Sequence, residues 1–136
     1  MLIIGIYINP MNVLAYRFND FYLSLTLIYG GLFMASNMLW AHEIIHLLTM
    51  NHFNSTIFFV GLILSICISI LLLRGQLFVD DRQWLKRMIS HHSTALTTSN
   101  NIYRKTDNTA VKELAKKIIT TQEEEITYMK QILSSL

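Results

Sequence analysis

The chain has 136 residues, 52% hydrophobic and only 15% charged, with a formal net charge of +2, which leaves room for one domain plus a membrane anchor and is too apolar for an ordinary water-soluble domain. Basic and acidic residues are interleaved, so no basic face for nucleic acid forms and nucleic acid is excluded as a partner. The single cysteine, Cys67, has no partner within the chain, which excludes a disulfide framework and a cysteine zinc site.

Residues 1–20 open with MLIIGIYINPMNVLAY, an apolar stretch interrupted by Asn9, Pro10 and Asn12. The interruptions predict an interfacial segment or a re-entrant one rather than a span. A signal peptide would need a basic start and a small-residue cleavage site, and neither is present, so these residues are expected in the mature chain. Phe21 to Ala41 carries no charge over about 20 residues, enough to cross a hydrocarbon core of about 30 Å as a helix. A first transmembrane helix is therefore predicted over residues 21–48. Residues 57–73 form a second uncharged run, near the lower limit of about 17 residues for a span, and it stops at Arg74 and Gly75. The polar TMNHFNST between the two runs is short enough to hold the helices antiparallel.

Beyond Gly75 charges appear and apolar residues return at helical spacing, so residues 80–136 read as a helical hairpin. Asp80 with Gln83 resembles a capping box, which starts a helix near Asp81. That helix is predicted to run through Trp84, Met88, His91, Ala95 and Ile102 and to fray near Lys105. Asp107 or Asn108 can cap the second helix, with an inward stripe of Val111, Leu114, Ile118, Gln122, Glu125, Met129 and Leu133. Equal rise in both helices pairs positions whose numbers sum to about 213. This sets Trp84 level with Met129, Met88 with Glu125 and His91 with Gln122. The fold class is all-α: two transmembrane helices followed by an antiparallel hairpin. A hairpin buries only one stripe, and self-association into a four-helix bundle is expected to cover it.

Two groups carry metal chemistry. On the hairpin, Met88, His91, His92, Gln122, Glu125 and Met129 combine thioether, imidazole and carboxylate. Thioether favours Cu(I), and imidazole accepts both copper oxidation states. On the first span, Met34, Met38, His42, His46 and Met50 recur at every fourth position and climb one slowly rotating strip, with His52 just beyond. Ionisable residues in or near a span point to function, here a metal or proton path. The plain structural alternative leaves the methionines as core filling and the histidines in the interface or hydrogen-bonded. His42-Glu43-Ile44-Ile45-His46 also spells H-E-x-x-H with His52 where metzincin proteases place a third ligand. Those proteases have glycine at the position of Thr49 and need a sheet and a methionine turn that two spans leave no room for. Proteolysis is set aside, and the two histidines remain able to hold zinc or copper from one helix face. No nucleophile-base pair, phosphate loop or paired acid is visible, so no enzyme activity is expected.

Met88, His91, His92 and Ala95, followed by Glu113, Leu114, Ala115, Ile118, Gln122, Glu125, Ile126 and Met129, resemble the signature of the domain of unknown function 305 family. The region from Arg74 through Asp80 and Asp81 is similar to its membrane-anchored members. The resemblance implies a ferritin-like helical hairpin that pairs with a second copy or other helices, and copper binding through methionine and histidine in some members. Thr98 stands where members often carry a further methionine.

These readings together predict a multi-pass, membrane-anchored metal-binding protein, for copper before zinc, acting in sequestration or transfer. The alternative is a structural membrane protein that assembles with itself or with a larger membrane or virion complex, without metal. Lysine and arginine are absent from Thr49 to Thr56, whereas Arg17 and Arg74, Arg82, Lys86 and Arg87 flank the outer ends of the spans. The positive-inside rule then sets the hairpin in the cytoplasm.

Overall fold

The apolar first half and the amphipathic second half bury their residues differently, and the chain divides into two units. One comprises Met1–Ile8 and Leu25–Val79, the other Asn9–Ser24 and Asp80–Leu136. The computed structural model describes residues 2–136. In chain order the elements are α1 (Leu2–Tyr7), α2 (Pro10–Val13), a short 3-10 turn (Phe18–Asp20), α3 (Leu25–Met50), α4 (Ser55–Cys67, continuing as widened π-helical turns over Ile68–Arg74), α5 (Asp81–Lys105) and α6 (Thr109–Ser135). There is no strand among the described residues. The segment 1–20, expected as one piece, contributes to both units.

In the first unit α1 and α4 both pack on α3. Small residues let the backbones approach. A Cβ added at Gly61 would lie 2.8 Å from the Leu39 Cβ and 2.9 Å from the Trp40 nitrogen, and one added at Gly31 would lie 2.6 Å from Ile6. Beside Gly61, the Ser65 hydroxyl donates to Ser36 Oγ at 3.0 Å, and Ser36 donates to the Phe33 carbonyl at 2.9 Å. Such close, small-residue contacts with internally bonded hydroxyls are how helices associate where apolar surface gains nothing by being buried. Ser55–Arg74, 20 residues of mean hydropathy 2.8, is the one helix among the described residues long and apolar enough to cross a membrane. α3 has the length, 26 residues, but Asn37, His42, Glu43 and His46 lower its apolarity. Asn54 starts α4, its side chain accepting from the Ile57 N–H at 3.2 Å.

The second unit is the hairpin α5–α6 with residues 9–24 laid on α5. Its caps follow the sequence. Asp80 Oδ1 accepts from the Gln83 N–H at 2.7 Å, and Asn108 Oδ1 accepts from the Val111 N–H at 3.2 Å. The core is Leu85, Ile89, Leu96, Ile126 and Met129, with Tyr22, Met88, Ile119, Ile132 and Leu133 against it. The expected stripe of α5 is displaced. Trp84, His91 and Ile102 are exposed, while Leu85, Ile89, Ser90, Ser93, Leu96 and Ser99 are buried. The cause is a second packing partner: α2 and the 3-10 turn also contact α5, so its buried arc is set by two neighbours rather than one. On α6, Met129 is buried as expected, but Ala115 and Ile126 replace Val111, Leu114 and Glu125, which are exposed.

Candidate metal centre

The last turns of α3 bring three ligand groups together. Positions 42 and 46 are one turn apart on one helix face, and the His42 and His46 rings lie 4.0 Å apart between centroids, tilted by 49°. Between them in sequence, Glu43 turns inward and is 4% exposed. One donor atom from each of His42, Glu43 and His46 lies within 4.8 Å of the others. Bond lengths of about 2.0–2.1 Å to nitrogen and oxygen need a modest side-chain contraction around an ion.

The α3–α4 turn closes one wall of this cluster. The backbone N–H of Asn54 donates to Glu43 Oε2 at 2.9 Å, and the His52 N–H reaches back to the His46 carbonyl at 3.4 Å. Asn51 takes a positive φ of 50°, a conformation asparagine tolerates better than most residues, and this reverses the chain. A cavity of about 470 Å³ beside the cluster is lined by Met38, Leu39, His42, Glu43, His46, His52, Asn54 and Ile57. Of the predicted strip, His42, His46, Met38 and His52 therefore share one site. Met34 instead packs by Gly5, and Met50 is exposed. Glu43 was absent from the predicted ligand set. Its signal was the H-E-x-x-H spelling, which reads as a protease motif before it reads as two imidazoles and a carboxylate.

The hairpin group disperses differently. Met129 is buried in the core, with Met88 half-buried against it, while His91 is exposed. His92, not His91, faces α6: its Nδ1 lies 2.9 Å from Glu125 Oε2, at a geometry that gives Nδ1 no aligned hydrogen bond. Gln122 Nε2 donates to the same carboxylate at 3.3 Å. Thr98 bonds back to the Thr94 and Ala95 carbonyls at 3.2 and 3.1 Å.

Burial holds the His92 pKa below its ordinary value, with His91 adding to the effect and Glu125 opposing it. The folded unit therefore prefers neutral His92. That contribution to stability is complete above the ordinary histidine value of about 6.5 and is lost as pH falls through the lower folded value. An NMR titration is expected to give His92 a midpoint below about 6.5, and Glu125→Gln should lower it further by removing the attraction. A midpoint that rises in Glu125→Gln would contradict this account.

A further cluster was not anticipated. Asp20 is fully buried; its Oδ2 accepts from the Ser93 hydroxyl at 2.8 Å, and its Oδ1 pairs with the Lys130 ammonium. Ser93 Oγ accepts the Tyr16 N–H at 2.8 Å. The Ser90 hydroxyl donates to the Asp20 carbonyl at 2.9 Å and accepts the Tyr22 N–H at 3.3 Å. Two serines three positions apart thus clamp residues 16–22 onto α5. The available signal was Asp20, the first acidic residue of the sequence, just ahead of an uncharged run, with Ser90 and Ser93 on one face of α5.

These features define an all-helical protein with one strongly apolar helix and a histidine-carboxylate cluster. The family Domain of unknown function (DUF305) matches residues 73–133, and an uncharacterized protein of Acanthamoeba polyphaga mimivirus is 36% identical over 130 residues, 93% of this chain and 82% of that protein. The chain belongs to the DUF305 family. No solved structure matches it.

Proposed function

We propose that this is a membrane-anchored metal-binding protein that sequesters or hands on copper or zinc without chemical turnover. The observation that carries the reading is the convergence of His42, Glu43 and His46 donor atoms within 4.8 Å beside a cavity that His52 and Met38 also line. Two imidazoles and a carboxylate suit a borderline ion. The apolar Ser55–Arg74 helix supports the anchor. The tight Gly61 contact supports α3 as a second, more polar span lying against it, which makes the anchor a two-pass hairpin with its connecting turn at one membrane face.

Purified, detergent-solubilised protein loaded with copper or zinc and then dialysed is expected to retain metal by elemental analysis. The double variant His42→Ala, His46→Ala should lose it. Equal retention by the two proteins would overturn the reading.

The dispersal of the hairpin donors favours a different task for the second unit. With His91 exposed, Met129 in the core and His92 beside Glu125, we infer that α5–α6 serves assembly, its exposed Leu114 and Val111 pairing with a second copy into a four-helix bundle.

A further inference from the structure

We propose, resting on the metal-binding reading above, that the α3 centre takes a divalent ion, Zn(II) or Cu(II), and that the Glu43 carboxylate is the ligand that selects it over Cu(I). Glu43 is nearly as buried as any apolar core residue, at 4% exposure. Among the described residues no lysine or arginine pairs with it. Its one hydrogen bond among the described residues, from the Asn54 N–H, falls on Oε2. A buried carboxylate is costly unless a charge or a metal compensates it, and the groups clustered with it are two imidazoles, each able to offer a ring nitrogen to the same ion.

A divalent ion meets both needs. The carboxylate cancels part of its charge in a poorly solvated place, and the imidazoles supply borderline nitrogen donors. Cu(I) gains less: it prefers thioether and thiolate. The one thioether on this cavity, Met38, is 45% exposed and lies one turn below His42, outside the three-group cluster. His52 on the cavity wall is available as the remaining ligand of a four-coordinate ion, leaving the site open to exchange when it swings away.

The test titrates the full chain in detergent separately with Zn(II), Cu(II) and ascorbate-maintained Cu(I), each against a competing chelator. Glu43→Gln keeps an oxygen acceptor for the Asn54 N–H and removes the charge. It is expected to weaken Zn(II) and Cu(II) by about tenfold or more while leaving Cu(I) near the wild-type value, and Met38→Leu is expected to leave both divalent ions unchanged. Equal losses for all three ions in Glu43→Gln, or a divalent loss in Met38→Leu, would overturn the selectivity.

The His42→Ala, His46→Ala variant separates the two levels. If it binds all three ions like the wild type, the metal-binding reading itself fails; if it loses Cu(I) while Glu43→Gln leaves the divalent ions untouched, only the selection by Glu43 fails. Should Glu43→Gln not fold by far-UV circular dichroism, the Cu(II)-loaded wild type decides. Pulsed EPR is expected to show imidazole couplings without a thioether ligand, and a sulfur-to-copper charge-transfer band would overturn the proposal.

Discussion

Lys130→Met is expected to destabilise the hairpin unit by about 3–5 kcal/mol, and to do so more than Asp20→Asn, although the two residues form one ion pair. The asymmetry comes from where each partner sits. Asp20 has no exposed side-chain surface, whereas the Lys130 side chain is 32% exposed. Removing the lysine strands a buried carboxylate that keeps the Ser93 hydroxyl as its hydrogen-bond donor, the situation in which a broken buried pair costs most. Removing the aspartate charge instead frees a lysine whose ammonium already reaches the surface and can extend into water. The double variant Asp20→Asn, Lys130→Met should recover part of the loss, because the two residues act through one shared contact. Thermal unfolding of the detergent-solubilised chain, followed by far-UV circular dichroism, orders the four proteins. A Lys130→Met protein as stable as Asp20→Asn would show that Lys130 does not offset the buried Asp20 charge.

The same cluster marks where sequence patterns stop informing. Caps depend on residues three apart, and for that reason Asp80 was legible, as were the ends of α5 at Asp81 and Lys105, and the second cap was narrowed to Asp107 or Asn108, of which Asn108 takes the role. The apolar run ending at Arg74 needed only composition. The buried face of α5 needed more. Periodicity locates a stripe by assuming one neighbour, but α5 has two, and the second is a segment 68 to 77 residues away in sequence that carries Asp20, Tyr16 and Tyr22. Serines 90 and 93 look like solvent-facing positions until that segment is laid over them. His91 and His92 then exchange roles: a rotation of one position leaves His91 exposed and turns His92 toward Glu125.

At the candidate metal centre the histidines were legible as a four-residue repeat, and Glu43 was not. A carboxylate inside an apolar helix reads as an interfacial residue unless its partner is known, and that partner is a backbone N–H eleven residues on, in a turn whose course depends on Asn51 adopting a left-handed conformation. Nothing in side-chain spacing announces a backbone donor.

That backbone donor carries the second large effect. Asn54→Pro is expected to lower the affinity of the α3 centre for Zn(II) by about 10–100-fold, the usual consequence of removing a group that orients a metal ligand. Proline deletes the N–H that holds Glu43 Oε2 at 2.9 Å, and because the native φ of −100° lies outside the proline ring's preferred range of about −80° to −50°, the turn must also shift at this residue, which adds to the loss. The same substitution also removes the side chain that caps α4, and Asn54→Ala isolates that second loss. Alanine keeps the N–H to Glu43 and sacrifices only the cap, at a cost to α4 of about 0.5–2 kcal/mol. Asn54→Ala is therefore expected to lower thermal stability while leaving Zn(II) affinity near the wild-type value, and Asn54→Pro to lower both. Competition titration of the two variants against one chelator separates the effects. Equal affinities in the proline and alanine variants would show that Glu43 needs no support from the turn.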